Sequence, residues 1–248
     1  MRINNYIASS GLCSRRAADG LIQEGKVRIN GVIAKLGDSV SEEDRVEVEG
    51  RRIRPKQSKV YIALNKPRGV VCTAEKSVKN NIVDYIGHEE RIFPIGRLDK
   101  DSEGLILLTN DGDIVNKVLR AEHGHEKEYI VSLDRKMEPE FILRMRKGVR
   151  IFNPVRNKYT KTLPCPVEKI NDYTFRIILS QGLNRQIRRM CEVLGYKVVR
   201  LRRVRIMHIR LKGIAPGAWR NLTKEEVRGI KRTKSLKDAP QENGARER

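Results

Sequence analysis

Aromatic residues are scarce, at 5% of the 248 residues with a single tryptophan, and no run approaches the roughly 18–20 apolar residues of a membrane helix. No amphipathic Lys-rich helix carrying Trp or Phe offers a membrane-surface anchor either, so no membrane partner is expected. The four cysteines, Cys13, Cys72, Cys165 and Cys191, are widely separated, with no C-x-x-C pair and no histidine at zinc spacing. They read as reduced thiols, in keeping with a cytosolic chain. The N-terminus MRINNYIASSGLCSRR has neither the apolar core nor the small-residue cleavage site of a secretory signal. Cytoplasm is the expected location. Nothing matches G-x-G-x-x-G, G-x-x-x-x-G-K-[ST], H-E-x-x-H or an EF-hand loop, which argues against a dinucleotide, a nucleoside triphosphate or a dedicated metal site. His123 and His125 would share a strand face, but with no third ligand they read as surface or loop histidines.

Acidic residues are in deficit as well: 31 Asp+Glu face 52 Lys+Arg, a formal net charge of +21. An excess of that size bears on partners rather than on fold, and through counterion release it makes nucleic acid, RNA in particular, the leading partner class. With 39% hydrophobic residues a packed core is possible, and the length suits a large domain plus a small one.

The N-terminal segment predicts a compact module. Ser14 is placed to cap a helix over 15–24, with Ala17, Ala18, Leu21 and Ile22 on one face and Gly25 as the residue beyond its end. Val27-Arg28-Ile29, Asn30-Gly31 and Val32-Ile33 read as a hairpin, and the alternation of 45–49 as a further strand. Arg15, Arg16, Lys26 and Arg28 group around the helix and hairpin, where they would track a phosphate backbone or form a solvated face. Residues 51–59, with Pro55 and five basic residues, read as a linker. Boundaries are placed at 1–54 for the module, 55–60 for the linker, 61–230 for a second domain and 231–248 for a disordered basic tail.

The second domain mixes strands, expected at 60–64, 105–108, 129–131 and 175–179, with helices marked by Ile114, Val115, Val118 and Leu119, by Phe141, Ile142 and Met145, and by Ile187, Met190, Cys191 and Leu194. Thr223 to Glu226 has capping-box spacing. The pattern is α+β rather than a regular βαβ array. From Arg185 to Lys212 ten basic residues stand against Glu192 alone. Within them Val199, Leu201, Val204 and Ile206 predict a strand with apolar side chains inward and the guanidiniums of Arg200 and Arg202 outward, toward phosphates. Residues 94–104 place Asp99, Asp101 and Glu103 in one Gly-flanked loop. In so basic a protein these carboxylates repel RNA unless paired or reactive; the alternative is a turn whose Asp and Ser side chains cap the backbone.

Taken together, Gly96-Arg97-Leu98-Asp99, Asp101-Ser102-Glu103-Gly104-Leu105, Leu108-Thr109-Asn110-Asp111-Gly112, Lys127-Glu128-Tyr129 and Gly182-Leu183-Asn184-Arg185-Gln186-Ile187-Arg188-Arg189-Met190 resemble the RsuA/RluB/RluE/RluF family of pseudouridine synthases, and residues 1–50 resemble its S4 RNA-binding module. Residues 81–84, 93–95 and 125–129 are most similar to the RluF branch, which modifies large-subunit (23S) ribosomal RNA. Leu183 departs from the basic residue of many relatives.

The resemblance implies an S4 module plus a catalytic domain on a mixed, mainly antiparallel sheet. It implies a monomer acting on structured RNA, either 23S ribosomal RNA or, as a second candidate, a tRNA, without cofactor or metal. Uridine isomerisation breaks the N1–C1′ bond, turns the uracil and rejoins it through C5. A carboxylate serves by adding to a sugar or base carbon or by stabilising positive character. By resemblance that group is Asp99, with Arg188 as its ion-pair partner, Tyr129 on the uracil, Arg97 as the wedge that replaces the extruded base, and Asn184, Arg185 and Gln186 at the substrate. Ile187 and Leu201 would form an apolar floor or be ordinary core. A non-catalytic RNA-binding assembly factor would share the charge and the module but not Asp99, Tyr129 and Arg188 in these motifs. A methyltransferase would need a glycine-rich cofactor loop.

Overall fold

The structure is a computed structural model that describes residues 1–119 and 125–232. The N-terminal module comprises α1 (Ile3–Ser9), α2 (Arg15–Gln23), β1 (Val27–Ile29), β2 (Val32–Ile33), β3 (Val46–Val48) and β4 (Arg51–Ile53). The Ser14 hydroxyl accepts from the Ala17 N–H at 3.1 Å, and Asn30 and Gly31, with φ of 50° and 84°, make the tight turn of β1–β2. Glu49 and Gly50 repeat that positive-φ pair, returning the chain so that Arg51 pairs with Val48 and Ile53 with Val46. Residues 51–53, linker-like in composition but inside the 1–54 boundary, therefore belong to the sheet β2-β1-β3-β4. A Glu-Gly turn carries no Asn or Asp to announce it. Ile3, Ile7, Ala18, Ile22, Val27 and Val46 close the core of this module.

The second domain runs β5 (Tyr61–Lys66), α3 (Ile82–Ile86), β6 (Phe93–Ile95), β7 (Glu103–Thr109), α4 (Gly112–Leu119), β8 (Lys127–Leu133), α5 (Pro139–Lys147), β9 (Arg150–Asn153), β10 (Lys158–Lys161), β11 (Val167–Lys169), β12 (Thr174–Leu179), α6 (Gln186–Val193), β13 (Val198–Ile206), β14 (Ile209–Arg210), β15 (Trp219–Asn221) and α7 (Lys224–Arg232). Thr223 and Glu226 exchange the two hydrogen bonds of a capping box at the start of α7. Lys231 and Arg232, assigned above to the tail, extend this helix; the rest of the tail and His123 lie outside the described residues. His125, read as a surface or loop histidine, lies in the loop before β8 but is buried, and its Nε2 meets the Lys117 carbonyl at 2.5 Å. Among the described residues no helix is long and apolar enough to cross a membrane, and no group of three or more His, Cys, Asp or Glu is placed to hold a metal ion.

One mixed sheet of nine strands forms the domain, ordered β11-β12-β8-β13-β7-β5-β15, with β14 on β13 and β6 on β7. All its pairings are antiparallel except β13 with β7, which is parallel and only two residue pairs wide, Arg202 with Glu103 and Arg203 with Gly104. That narrow seam divides the interior. On one side Val131, Phe141, Phe175, Ile187, Met190 and Leu201 form a core under α5 and α6; on the other Ala63, Leu105, Leu107, Ile114, Val118 and Ile206 form a second under α4 and α7. Ile62, Leu64, Ile82, Ile106 and Leu108 pack on the opposite face of β5 and β7.

The alternation expected along β13 is broken. Register shifts fall between Val198 and Arg200 and between Arg203 and Arg205, and each such irregularity turns the following side chains over. Val199, at the first irregularity, faces solvent, and Arg203, two residues after Leu201 on the same face, is buried, so a guanidinium shares the inward face. At the seam Gly104 has φ of +104°, and a Cβ there would lie 2.2 Å from the Arg203 carbonyl oxygen. Backbone-to-backbone approach of that kind cannot be relieved by a rotamer change. Gly104→Ala should lose about 2–4 kcal/mol, from overpacking plus positive-φ strain, read as a lower urea midpoint; an unchanged midpoint would show that the seam can open freely.

Candidate active site

The segment from Gly96 to Ser102 leads into β7 at the seam and is fastened from the strand side. The Leu98 N–H donates to Cys72 Sγ at 3.4 Å, the Gly69 N–H to the Lys100 carbonyl at 2.9 Å, and the Ser102 N–H to the Asp99 carbonyl at 3.0 Å. Lys66, at the end of the fully buried β5, donates to the carbonyls of Pro67 at 2.8 Å, Val70 at 2.9 Å and Lys100 at 3.5 Å. Its three N–H donors thus meet three carbonyls, which is what makes a wholly buried ammonium tolerable; burial pulls its pKa below the usual lysine value. The Asp99 side chain remains about a third exposed, 34%, and lines a cleft of about 560 Å³ together with Arg97, Tyr129, Leu183, Asn184, Arg185, Ile187, Arg188 and Leu201. That size suits a small organic group.

The facing wall is the start of α6. Arg185 stands just before it with φ of 49°, and its Nη1 lies 3.3 Å from Asp99 Oδ2. Arg188, expected as the ion-pair partner, brings Nε to 4.0 Å from the same oxygen, so Arg185 is the nearer cation. The other nitrogens of Arg188 are committed to backbone and hydroxyl: Nη1 donates to the Val198 carbonyl at 3.1 Å, and Nη2 to the Asp101 carbonyl at 3.3 Å and Ser102 Oγ at 3.4 Å. Arg188 therefore clamps the start of β13 to the Asp99 loop, and its Nε is buried with no acceptor within hydrogen-bond reach among the described residues. Burial, then the Arg185 charge, lowers its pKa, and Asp99 and Asp101 oppose that shift. Gln186, expected at the substrate, lines the cleft but is largely buried, and its Oε1 accepts from the Leu183 N–H at 3.1 Å. Asn184 is tied to Arg189 through both its carbonyl and its side-chain oxygen.

Tyr129, on β8, pairs across to Arg203 on β13 and packs against the cores on both sides. Ile187 and Leu201 are buried members of the first core that also line the cleft. Arg97 is exposed at the rim. Of the loop carboxylates, Glu103 is held by Arg200 at 2.7 Å and Arg68 at 3.7 Å, and Arg205 is occupied by Glu126 and Glu128, so fewer guanidiniums of β13 face phosphates than the sequence suggested. In the module Arg15, Arg16, Lys26 and Arg28 are all exposed. Arg15 leans on Asn5 and Arg28 on the Gly31 carbonyl. Lys26 sits between Glu24 at 2.7 Å and Glu49 at 3.3 Å, its charge balanced within the module.

Lys66, Cys72, Lys127 and Arg203 escaped the sequence reading. A lysine closing the apolar run Tyr61–Lys66 is a signal in retrospect; Lys127 stands in the Lys127-Glu128-Tyr129 motif with no role assigned there, and Arg203 sits among other basic residues.

Residues 60–193 match the family model described as RNA pseudouridylate synthase, and residues 1–56 the S4 domain. The chain is 54% identical over 228 residues to the dual-specificity RNA pseudouridine synthase RluF of Salmonella typhi, covering 91% of this chain and 77% of that protein. It is 35% identical to the ribosomal large subunit pseudouridine synthase B of Bacillus subtilis, covering 96% and 97%. A crystal structure of a pseudouridylate synthase superposes with a TM-score of 0.66 at 29% identity, covering 93% of this chain and 99% of that one.

The two arginines near Asp99 should separate in mutation. Arg185→Ala removes a charge beside the carboxylate, whereas Arg188→Ala also removes the clamp. Arg188→Ala should lower the single-turnover rate at saturating RNA by about 10²–10³-fold and cost about 1–3 kcal/mol in thermal or urea unfolding. Arg188→Lys should recover only part, since the planar fork is lost; Arg185→Ala should do less on both counts. A larger effect from Arg185→Ala would make Arg185 the principal partner.

Proposed function

From the membership of this chain in the RNA pseudouridylate synthase family, with an S4 domain ahead of the catalytic domain, we propose that it isomerises a uridine of large-subunit (23S) ribosomal RNA, with a transfer RNA as a second substrate, and that Asp99 is the reacting carboxylate. The observation that carries this reading is the position of Asp99. It is a carboxylate on a loop fastened from below, 3.3 Å from one guanidinium and 4.0 Å from another, in a cleft that also holds Tyr129 and an apolar floor. The choice of RNA follows the relatives, whose names specify the ribosomal large subunit in one case and dual specificity in another.

A base stacked in a helix cannot reach such a cleft. Extrusion costs about a few kcal/mol, which Arg97 offsets by filling the vacated stack. The uracil then rests on Tyr129 over Ile187 and Leu201, while Asp99, oriented by Arg185 and Arg188, meets the sugar or base carbon. Asn184 and Gln186 act by shaping the loop before α6, and Arg185 and Arg188 by holding the carboxylate. The S4 unit over 1–54, the connector 55–60 and the catalytic unit 61–230 work on one RNA in the cytoplasm as a monomer; the module, through Arg15, Arg16 and Arg28, holds phosphates while the cleft works on one nucleotide.

Asp99→Asn keeps the size and removes charge and nucleophilicity. It should abolish pseudouridine formation in an RNA fragment that the wild type modifies, with the dissociation constant little changed. Turnover near the wild-type rate would reject Asp99. In the module, Arg15→Ala with Arg16→Ala should flatten the plot of log affinity against log salt by about 0.9 per lost duplex contact, or about 0.7 on single strands. Lys26→Ala, its charge already matched by Glu24 and Glu49, should leave the slope nearly unchanged. A slope that responds to Lys26 alone would reverse this assignment.

A further inference from the structure

Two cations in the cleft wall have no part in holding Asp99. Arg203 is only 4% exposed; its Nε donates to the Leu105 carbonyl at 2.7 Å, and its Nη2 is buried with no acceptor among the described residues. Lys127 lines the same cleft and donates to the His125 carbonyl at 2.8 Å. Burial, reinforced by the Arg203 charge, lowers its pKa to about 8. Lys127 and Tyr129 are two apart on β8 and so share a face, and Tyr129 pairs across to Arg203. The three side chains thus form one patch. Among the described residues neither cation has a carboxylate within 4.0 Å, although Arg200 and Arg205 on the same strand do.

Buried cations are normally paired, because an uncompensated one costs several kcal/mol. Here a buried Arg203 with an idle donor and a partly buried Lys127 line one cleft, and a partner for both arrives with the substrate. The reaction brings a suitable one. Uracil presents two carbonyl oxygens, and when the C1′–N1 bond breaks its electron pair stays with the base, spreading negative charge over N1, O2 and O4. Asp99 compensates C1′. After the ring turns, a C5 electron pair forms the C1′–C5 bond, C5 loses its proton and N1 gains one, so neither an oxidant nor another reactant is needed.

On the strength of the function proposed above, we infer that Lys127 and Arg203 seat a carbonyl edge of the extruded uracil and carry its negative charge between cleavage and rejoining. Preorganised donors aimed at charge that develops only during reaction stabilise the transition state more than the bound substrate. The pair therefore acts on rate rather than on affinity. Holding two cations together in a largely desolvated wall should also cost the empty enzyme stability.

The test uses the full chain, the Lys127→Met and Lys127→Arg variants, and an RNA fragment modified by the wild type. Lys127→Met should melt no lower than wild type and bind the RNA within about threefold, while its saturated single-turnover rate falls about 10²-fold. Lys127→Arg should recover most of that loss. The wild-type rate should decline as pH rises through about 8 and the ammonium loses its proton, whereas Lys127→Arg should hold its rate there. The other ionisable groups lining the cleft are Arg97, Asp99, Tyr129, Arg185, Arg188 and Arg203, and Lys127→Arg leaves all of them in place. Lys127→Met at the wild-type saturated rate overturns the seat, and so does a weakened dissociation constant with an unchanged saturated rate, which would make the pair a phosphate contact. A melting temperature lowered in Lys127→Met and restored in Lys127→Arg, with the rate following it, would make Lys127 structural. A wild type that forms no pseudouridine in any RNA would instead sink the proposed function.

Discussion

The ammonium of Lys66, wholly out of contact with water, donates to carbonyls on both sides of the cleft loop's base, and the rest of the site depends on that arrangement. A cation so placed accepts no alternative partner cheaply, because each idle donor would cost about 1–3 kcal/mol. It therefore fixes the chain after β5 against the chain that carries Asp99, and the Gly69 and Leu98 hydrogen bonds close the same gap. Asp99 can be partly exposed and still oriented, since its loop is fastened by backbone and buried groups rather than by the carboxylate itself.

The sheet supplies the second half of the geometry. Its one parallel contact, two residue pairs wide, joins two cores, and the cleft lies along that joint with walls from both: Ile187 and Leu201 from one, Val118 and Ile206 from the other. Gly104 allows β13 to come in against β7 at backbone distance. The arginine-rich strand thus meets the acidic loop, and the guanidiniums divide: Arg200 takes Glu103, Arg205 takes Glu126 and Glu128, and Arg203 turns into the cleft.

Much of this was legible in the sequence because local rules govern it. The Ser14 cap, the Asn30-Gly31 turn, the Thr223 capping box and the main strands are short-range patterns, and Asp99, Tyr129 and Arg188 stand in motifs specific enough to bring them together. What stayed hidden depends on long-range pairing. An irregularity in β13 put Val199 in solvent, and Arg203 shares the inward face of Leu201, where hydropathy does not expect a guanidinium. The Glu49-Gly50 turn used Glu, a residue with no turn preference, and made a strand of residues whose composition read as linker. Lys66 is a buried cation and Lys127 a partly buried one, and hydropathy assigns such residues to the surface. The order of Arg185 and Arg188 around Asp99 follows from a left-handed residue at the head of α6, which motif spacing does not encode.

A formal charge of +21 draws the chain to any polyanion, so RNA binding by itself discriminates little. The central claim is that one carboxylate, steadied by arginines in a cleft at the sheet's seam, rebuilds a uridine. Its most direct test is a transcriptome-wide map of pseudouridine in cells with the gene present, deleted and restored. The account requires a discrete uridine of large-subunit ribosomal RNA to lose its modification on deletion and regain it on restoration; a map identical in all three strains would contradict it.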